Sequence, residues 1–220
     1  NWHVMGLRGT GSKQANVQSL FVPTSRALSL FDLDRGPSPG RVLHDNPFFG
    51  GPASPIFYAE IAAVAVGIAR GAIDAFVDRA RTKTSAFKPG VKLFETPAAQ
   101  RRLAAAVAEL DTAEAMLLQE ARSYMDLVAE RVPMGQTLTL EERARMQLQL
   151  QHCVEMSASV VDGLFIAGGS SAINEGEPLQ RCFRDISALR THYLMDGDRL
   201  RENWGRLAFD LEPLSRTPGV

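Results

Sequence analysis

The chain has 220 residues, 45% hydrophobic and 22% charged, with a formal net charge of -1 at pH 7. That balance suits a folded globular chain, and a charge so near zero builds no basic field for nucleic acid. The most apolar run, residues 61–68, is closed by Glu60 and Arg70 and falls far short of the roughly 20 residues a membrane helix needs, so no membrane span is expected.

Cys153 and Cys182 lie far apart and match no metal or redox spacing. They read as buried free thiols in a reducing compartment, which points to the cytoplasm, and no metal site is expected. No signal-peptide pattern is visible. The first residue is not Met, and the opening residues already look like the interior of a domain. The chain therefore reads as a piece of a longer protein.

Residues 1–45 carry no helical period. They are rich in Gly, Ser, Thr and Val, with an alternating stretch Val17-Gln18-Ser19-Leu20-Phe21-Val22 ended by Pro23. This predicts two or three strands with turns at Gly9-Thr10-Gly11 and Gly36-Pro37. So few strands cannot make a stable sheet alone, so residues 1–45 are expected to be the last part of a larger β-domain. A loop rich in Pro, Gly and Phe (residues 45–52) follows.

The helical pattern then runs through residues 54–212. The first helix is expected over 54–81, capped by Ser54 with Pro55 in its first turn, and Phe57, Ile61, Val64, Ile68, Ala72 and Phe76 on one face. The second starts at Thr96-Pro97, repeats apolar residues from Leu103 to Val128, and closes at Pro133 and Gly135. The third opens on the capping box Thr139-Leu140-Glu141-Glu142 and ends at Gly168-Gly169. The fourth begins near Pro178, with Leu179, Cys182, Ile186, Leu189 and Tyr193 as its core face, and breaks near Gly197. A short amphipathic segment, 200–209, follows. Long helices joined by short connections predict a mainly α fold, an antiparallel four-helix bundle.

Two stretches carry a family resemblance. The first is Trp2-His3-Val4-Met5-Gly6-Leu7-Arg8-Gly9-Thr10-Gly11-Ser12 with Phe21-Val22-Pro23. It resembles the end of the β-domain in acyl-CoA dehydrogenases and their relatives. The second is Gly168-Gly169-Ser170-Ser171-Ala172-Ile173 followed by Pro178-Leu179-Gln180-Arg181-Cys182-Phe183-Arg184-Asp185. It resembles the glycine-rich loop and R-x-x-R-D element that open the last bundle helix. With the helix spacing, the resemblance covers essentially the whole chain. It implies a bundle of the acyl-CoA dehydrogenase C-terminal type after the last strands of the β-domain.

The family holds two chemistries. Many dehydrogenases carry a catalytic Glu after the R-D element, and residues 186–196 contain none; in some, the base lies on another bundle helix. The other branch comprises the oxygenase components of two-component flavin-dependent monooxygenases. There a His stands seven residues after the Asp, as His192 does here. The resemblance implies reduced FMN or FAD supplied by a separate flavin reductase. It further implies an aromatic or polycyclic small-molecule substrate, hydroxylation through a C4a-hydroperoxyflavin, and a tetramer built as a dimer of dimers. The alternatives are an FAD-dependent acyl-CoA dehydrogenase acting on a thioester and a non-catalytic helical oligomerisation domain. The fragment alone is expected to be inactive.

On a helical wheel, Arg181, Asp185, Ala188, His192 and Met195 make a mixed stripe. In the family reading His192 sits by the flavin and shares a proton near neutral pH; otherwise it is a surface histidine paired with Asp196. Arg184 and Asp185 read as structural partners of other helices. Gly168, Gly169, Ser170 and Ser171 are either a flavin-phosphate nest, of this or a neighbouring subunit, or a plain helix C-cap. Arg81 either reaches the cofactor phosphates across a subunit interface or is a solvated helix-end side chain.

Overall fold

A computed structural model describes residues 2–29, 32–35, 39–86 and 88–214. The helices are α1 (Asp32–Arg35), α2 (Pro39–Leu43), α3 (Ser54–Thr82), α4 (Pro97–Arg131), α5 (Leu140–Ala167), α6 (Pro178–Leu189) and α7 (Gly197–Ala208). Short 3-10 turns fill several of the connections.

Long-range hydrogen bonds fix the helix directions. At the start of α3, the Tyr124 hydroxyl of α4 donates to the Pro52 carbonyl at 3.0 Å, and Gln147 Nε2 of α5 donates to Ser54 Oγ at 3.3 Å. Arg79, near the end of α3, meets Gly168 beyond the end of α5 and Glu177 just before α6. α3 and α5 therefore run together, while α4 and α6 run against them. This is the expected antiparallel bundle. α7 returns to the start of α3, where Arg199 Nη2 donates to the Tyr58 hydroxyl at 3.1 Å.

The core is small on the α3 side and larger opposite. Ala62, Ala65, Ala69 and Ala72 let α3 approach closely, while Leu150, Val161, Leu164, Leu179 and Ile186 fill the space between helices. Cys153 and Cys182 are buried free thiols, and burial pushes the Cys153 pKa up to about 11, which keeps it an unreactive thiol. A second cluster, Tyr124, Val128, Val132, Leu138 and Met146, closes the end of the bundle nearest Phe48.

Three sequence expectations are corrected. Residues 17–22 join no ladder among the described residues, where the one isolated bridge pairs Thr84 with Lys92. Leu20 and Phe21 stay exposed. A strand finds its hydrogen bonds only in a neighbour, and the described residues supply no ladder partner to this segment. The turn expected at Gly36-Pro37 lies outside the described residues. Ser54 is the first helical residue rather than the cap: its N–H donates to Asp34 Oδ1, 2.8 Å away and 20 positions earlier. Finally, α6 stops at Leu189, so Tyr193 is exposed instead of lying in the core. α3 is itself long and apolar enough to cross a membrane by length and composition, unlike the shorter run considered above, but its alanine face lies in the bundle core.

Candidate functional site

The segment before the bundle is fastened to α6 through its backbone. The Leu7 N–H donates to Asp185 Oδ1 at 2.7 Å, and Arg184 Nη1 donates to the Met5 carbonyl at 2.7 Å. The Trp2 indole N–H and the Thr10 hydroxyl both donate to the Leu7 carbonyl, at 3.2 and 2.9 Å. Leu7 is held in the left-handed region at φ 53°, a conformation non-glycine residues adopt only when surroundings fix it. Gly6 is required by proximity: a Cβ there would sit 1.9 Å from the Arg184 carbonyl oxygen. Arg184 and Asp185 hold backbone groups of residues 5–7, and Arg184 Nε also donates to Gln180 Oε1 on its own helix; neither pairs with a charge on another helix among the described residues.

This fastening makes one wall of a cleft of about 470 Å³. Trp2 and Thr10 stand on one side, Glu60, Ile61 and Val64 of α3 on another, and Leu189 and His192 at the end of α6. The wall is mostly apolar, with a rim of polar groups, as small-molecule sites are.

His192 is not on a helix. The chain leaves α6 at Leu189, helped by Thr191, whose hydroxyl donates to the Ala188 carbonyl at 2.7 Å. His192 then caps the turn Tyr193–Met195, its Nδ1 accepting from the Leu194 N–H at 3.3 Å. A ring that accepts at Nδ1 carries its proton, when neutral, on Nε2. Asp196 does not pair with it; Asp196 Oδ1 accepts the Arg199 N–H at 3.2 Å and caps α7. The mixed stripe read off the wheel thus breaks before His192, which still reaches the cleft by a turn.

The 168–171 loop lies at the other end of α6. Its first two N–H groups point back into α5: Gly168 donates to Leu164 and Gly169 to Ile166, at 2.9 and 3.1 Å. Gly169 takes φ 74°, which glycine adopts freely. Behind the loop stand Arg79 and Lys83. Arg79 donates to the Gly168 carbonyl at 3.0 Å and to Ser171 Oγ at 2.6 Å, and pairs with Glu177 at 2.8 Å. Lys83 Nζ also reaches Gly168 and Ser171. Burial, and then the Arg79 charge beside it, pull the Lys83 pKa down. Gly169 and Ser170 face outward.

Arg81 does not join them. Two positions from Arg79 on a helix, it points elsewhere, into a groove of about 560 Å³ with Phe76, Phe94 and Gln100. The structure therefore brings His192 to the cleft, the 168–171 loop to Arg79 and Lys83, and Arg81 to a third place. Sequence reasoning missed Glu60, Arg79 and Lys83. Phe76, Arg79 and Lys83 recur at steps of three and four, so the helical phase of the buried Phe76 was the available signal for the last two.

Comparison with known proteins gives the family and fold. The family described as acyl-CoA dehydrogenase, C-terminal domain, matches residues 59–197. The oxygenase subunit HsaA of a flavin-dependent monooxygenase from Rhodococcus jostii is 35% identical over 217 residues, covering 98% of this chain and 55% of the relative. An FADH(2)-dependent resorcinol hydroxylase, oxygenase component, from a Rhizobium species is 30% identical, covering 96% of this chain and 53% of the relative. The crystal structure of the HsaA monooxygenase from M. tuberculosis superposes with a TM-score of 0.84 at 30% identity, covering 100% of this chain and 54% of that one. The chain spans about half the length of the curated relatives it matches. Its helix order, its loop before α6 and its matched residues place it in one family: the chain belongs to the acyl-CoA dehydrogenase C-terminal domain family.

Proposed function

We propose that this chain is part of the oxygenase component of a two-component flavin-dependent monooxygenase. It hydroxylates an aromatic or polycyclic small molecule, using reduced FMN or FAD delivered by a separate flavin reductase. The observation that carries the reading is the cleft: an apolar wall with His192 at its edge and no Glu among residues 186–196. The likeness to HsaA and to the resorcinol hydroxylase component supports it.

The residues present suit a flavin. Trp2, Ile61, Val64 and Leu189 offer flat apolar surface, and Thr10, Ser12 and Thr191 offer hydrogen bonds at the rim. Reduced flavin, when bound, supplies the electrons that activate oxygen. His192, exposed at the rim with Nδ1 turned to the Leu194 N–H, has Nε2 left as the ring atom that can hydrogen-bond in the cleft. The 168–171 loop, with Gly169 and Ser170 outward and two cations behind, suits a phosphate; so does Arg81, by its guanidinium fork. Loop and cleft lie at opposite ends of a 12-residue helix, on the order of 18 Å apart at the rise of an α-helix. That separation suits a loop that serves the flavin of a neighbouring subunit in a homotetramer. The setting is the cytoplasm.

One observation favours a second reading. Glu60 places a carboxylate in the same cleft from α3, where it could act as the base of an acyl-CoA dehydrogenase. An anaerobic titration of the full-length protein with reduced FMN and FAD, followed by oxygen and an aromatic substrate, separates the two. Reduced-flavin binding and a hydroxylated product are expected, and His192→Ala should divert oxygen into free peroxide. A protein that instead retains oxidised FAD and is bleached by an acyl-CoA would overturn the oxygenase reading. One that binds no flavin in any form would leave the bundle a helical assembly domain.

A further inference from the structure

We infer that Glu60 is a charge filter at the mouth of the cleft, which selects neutral or cationic hydroxylated aromatics and turns away those carrying a carboxylate. The inference rests on the cleft being the substrate site.

Among the described residues that line the cleft, Glu60 and His192 are the ionisable ones, and no Lys or Arg is among them. Glu60 stands on α3 one helical turn from Val64, at the edge of the apolar wall. No hydrogen bond or ion pair within the described residues engages its carboxylate. Arg70, on the same helix, is paired with Glu114. The Glu60 carboxylate thus faces a cleft lining that holds no Lys or Arg among the described residues.

Recognition of a ligand carboxylate needs a cation or several convergent N–H donors, and the cleft wall offers neither beyond His192. A second carboxylate brought next to Glu60 meets like-charge repulsion, which discriminates against a ligand as effectively as a clash does. A phenol or amine, by contrast, can donate a hydrogen bond to Glu60. The side chain is exposed, so solvent screens the effect and the expected discrimination is about tenfold rather than absolute.

The test is a set of matched phenols differing in one group: 4-hydroxyphenylacetate (anionic), 4-hydroxyphenylethanol (neutral) and tyramine (cationic). Equilibrium binding to the full-length protein with reduced flavin is measured for wild type, Glu60→Gln and Glu60→Arg, together with hydroxylated product. Wild type should bind the neutral phenol and the amine about tenfold more tightly than the acid. Glu60→Gln should collapse that ratio towards one, and Glu60→Arg should invert it. Because Glu60 is exposed and no hydrogen bond or ion pair among the described residues engages its carboxylate, thermal melts of the variants should match wild type. If the neutral phenol binds and is hydroxylated but Glu60→Gln leaves the ratio unchanged, the filter is refuted and the oxygenase reading stands. If no phenol binds wild type although reduced flavin does, the filter is refuted and the oxygenase reading rests on the flavin titration. If Glu60→Gln instead abolishes bleaching by an acyl-CoA, Glu60 is a base and the filter is refuted with the oxygenase reading.

Discussion

At the scale of single residues, the cleft is held by Gly6 and Asp185. An added methyl at Gly6 would overlap the Arg184 carbonyl oxygen, 1.9 Å from the ideal Cβ, and backbone cannot swing aside as a long side chain can. Gly6→Ala must therefore lift residues 5–10 off α6 and cost about 1–3 kcal/mol, the usual range for overpacking. The same change should loosen Trp2, whose indole is tied to the Leu7 carbonyl. Chemical denaturation and the fluorescence of Trp2 against Trp204 check both effects. A native melting curve with unaltered emission would show that the segment does not dock as described. Gly6 was legible only as part of a family motif. Nothing in a glycine's local sequence reveals that an α6 carbonyl, some 180 positions later, occupies the space its side chain would need.

At the scale of elements, helix starts were legible because capping chemistry is local. Thr96 accepts the Ala99 N–H, and Thr139 with Glu142 forms the reciprocal box that its sequence announces. Burial raises the Glu142 pKa, but the hydrogen bonds from Arg131 and Thr139 outweigh it and leave the carboxyl below its ordinary value. A carboxylate with a lowered folded-state pKa stabilises the fold above its unfolded pKa. That contribution is lost as pH falls through the folded value. Glu142→Gln should thus lower stability at neutral pH, by about 1 kcal/mol for a cap of this kind, and flatten the acid limb of the stability curve. Thr139→Ala should lower stability by a similar amount while leaving part of that acid limb in place, since Arg131 still holds the carboxylate. Urea titrations at stepped pH distinguish them. The end of α6 was not legible. Ile186, Leu189 and Tyr193 keep the helical period and no Gly or Pro intervenes before Gly197, so periodicity ran on through a break that Thr191 makes with a single hydroxyl. Ser54 misled for the opposite reason. A local residue type suggested a cap that the structure takes from Asp34.

At the scale of the whole molecule, α4 leaves a stripe uncovered. Val107, Leu118 and Met125 are 38%, 47% and 43% exposed, and spacings of eleven and seven residues put them on one face of the helix. On α3, Phe57 and Val64 are 41% and 50% exposed. Isolated exposed apolar side chains need no explanation, but a stripe along a helix marks a surface that something covers. The bundle's order was readable from helix lengths and short loops; what covers its outside was not, because an apolar residue looks the same in sequence whether its neighbour is this chain or another. Leu118→Glu separates the possibilities. Within the described residues Leu118 is nearly half exposed, so a charge there should cost this chain little. Across a subunit interface the same charge would be buried without a partner and would split the assembly. Light scattering on the full-length protein should give about four times the single-chain mass for wild type and a smaller assembly for Leu118→Glu, with concentration-dependent melting. An unchanged mass with a melting temperature lowered at every concentration would mean that another part of the same chain covers the stripe. A wild-type mass of one chain would remove the tetramer, and with it the idea that the 168–171 loop serves a neighbour's flavin.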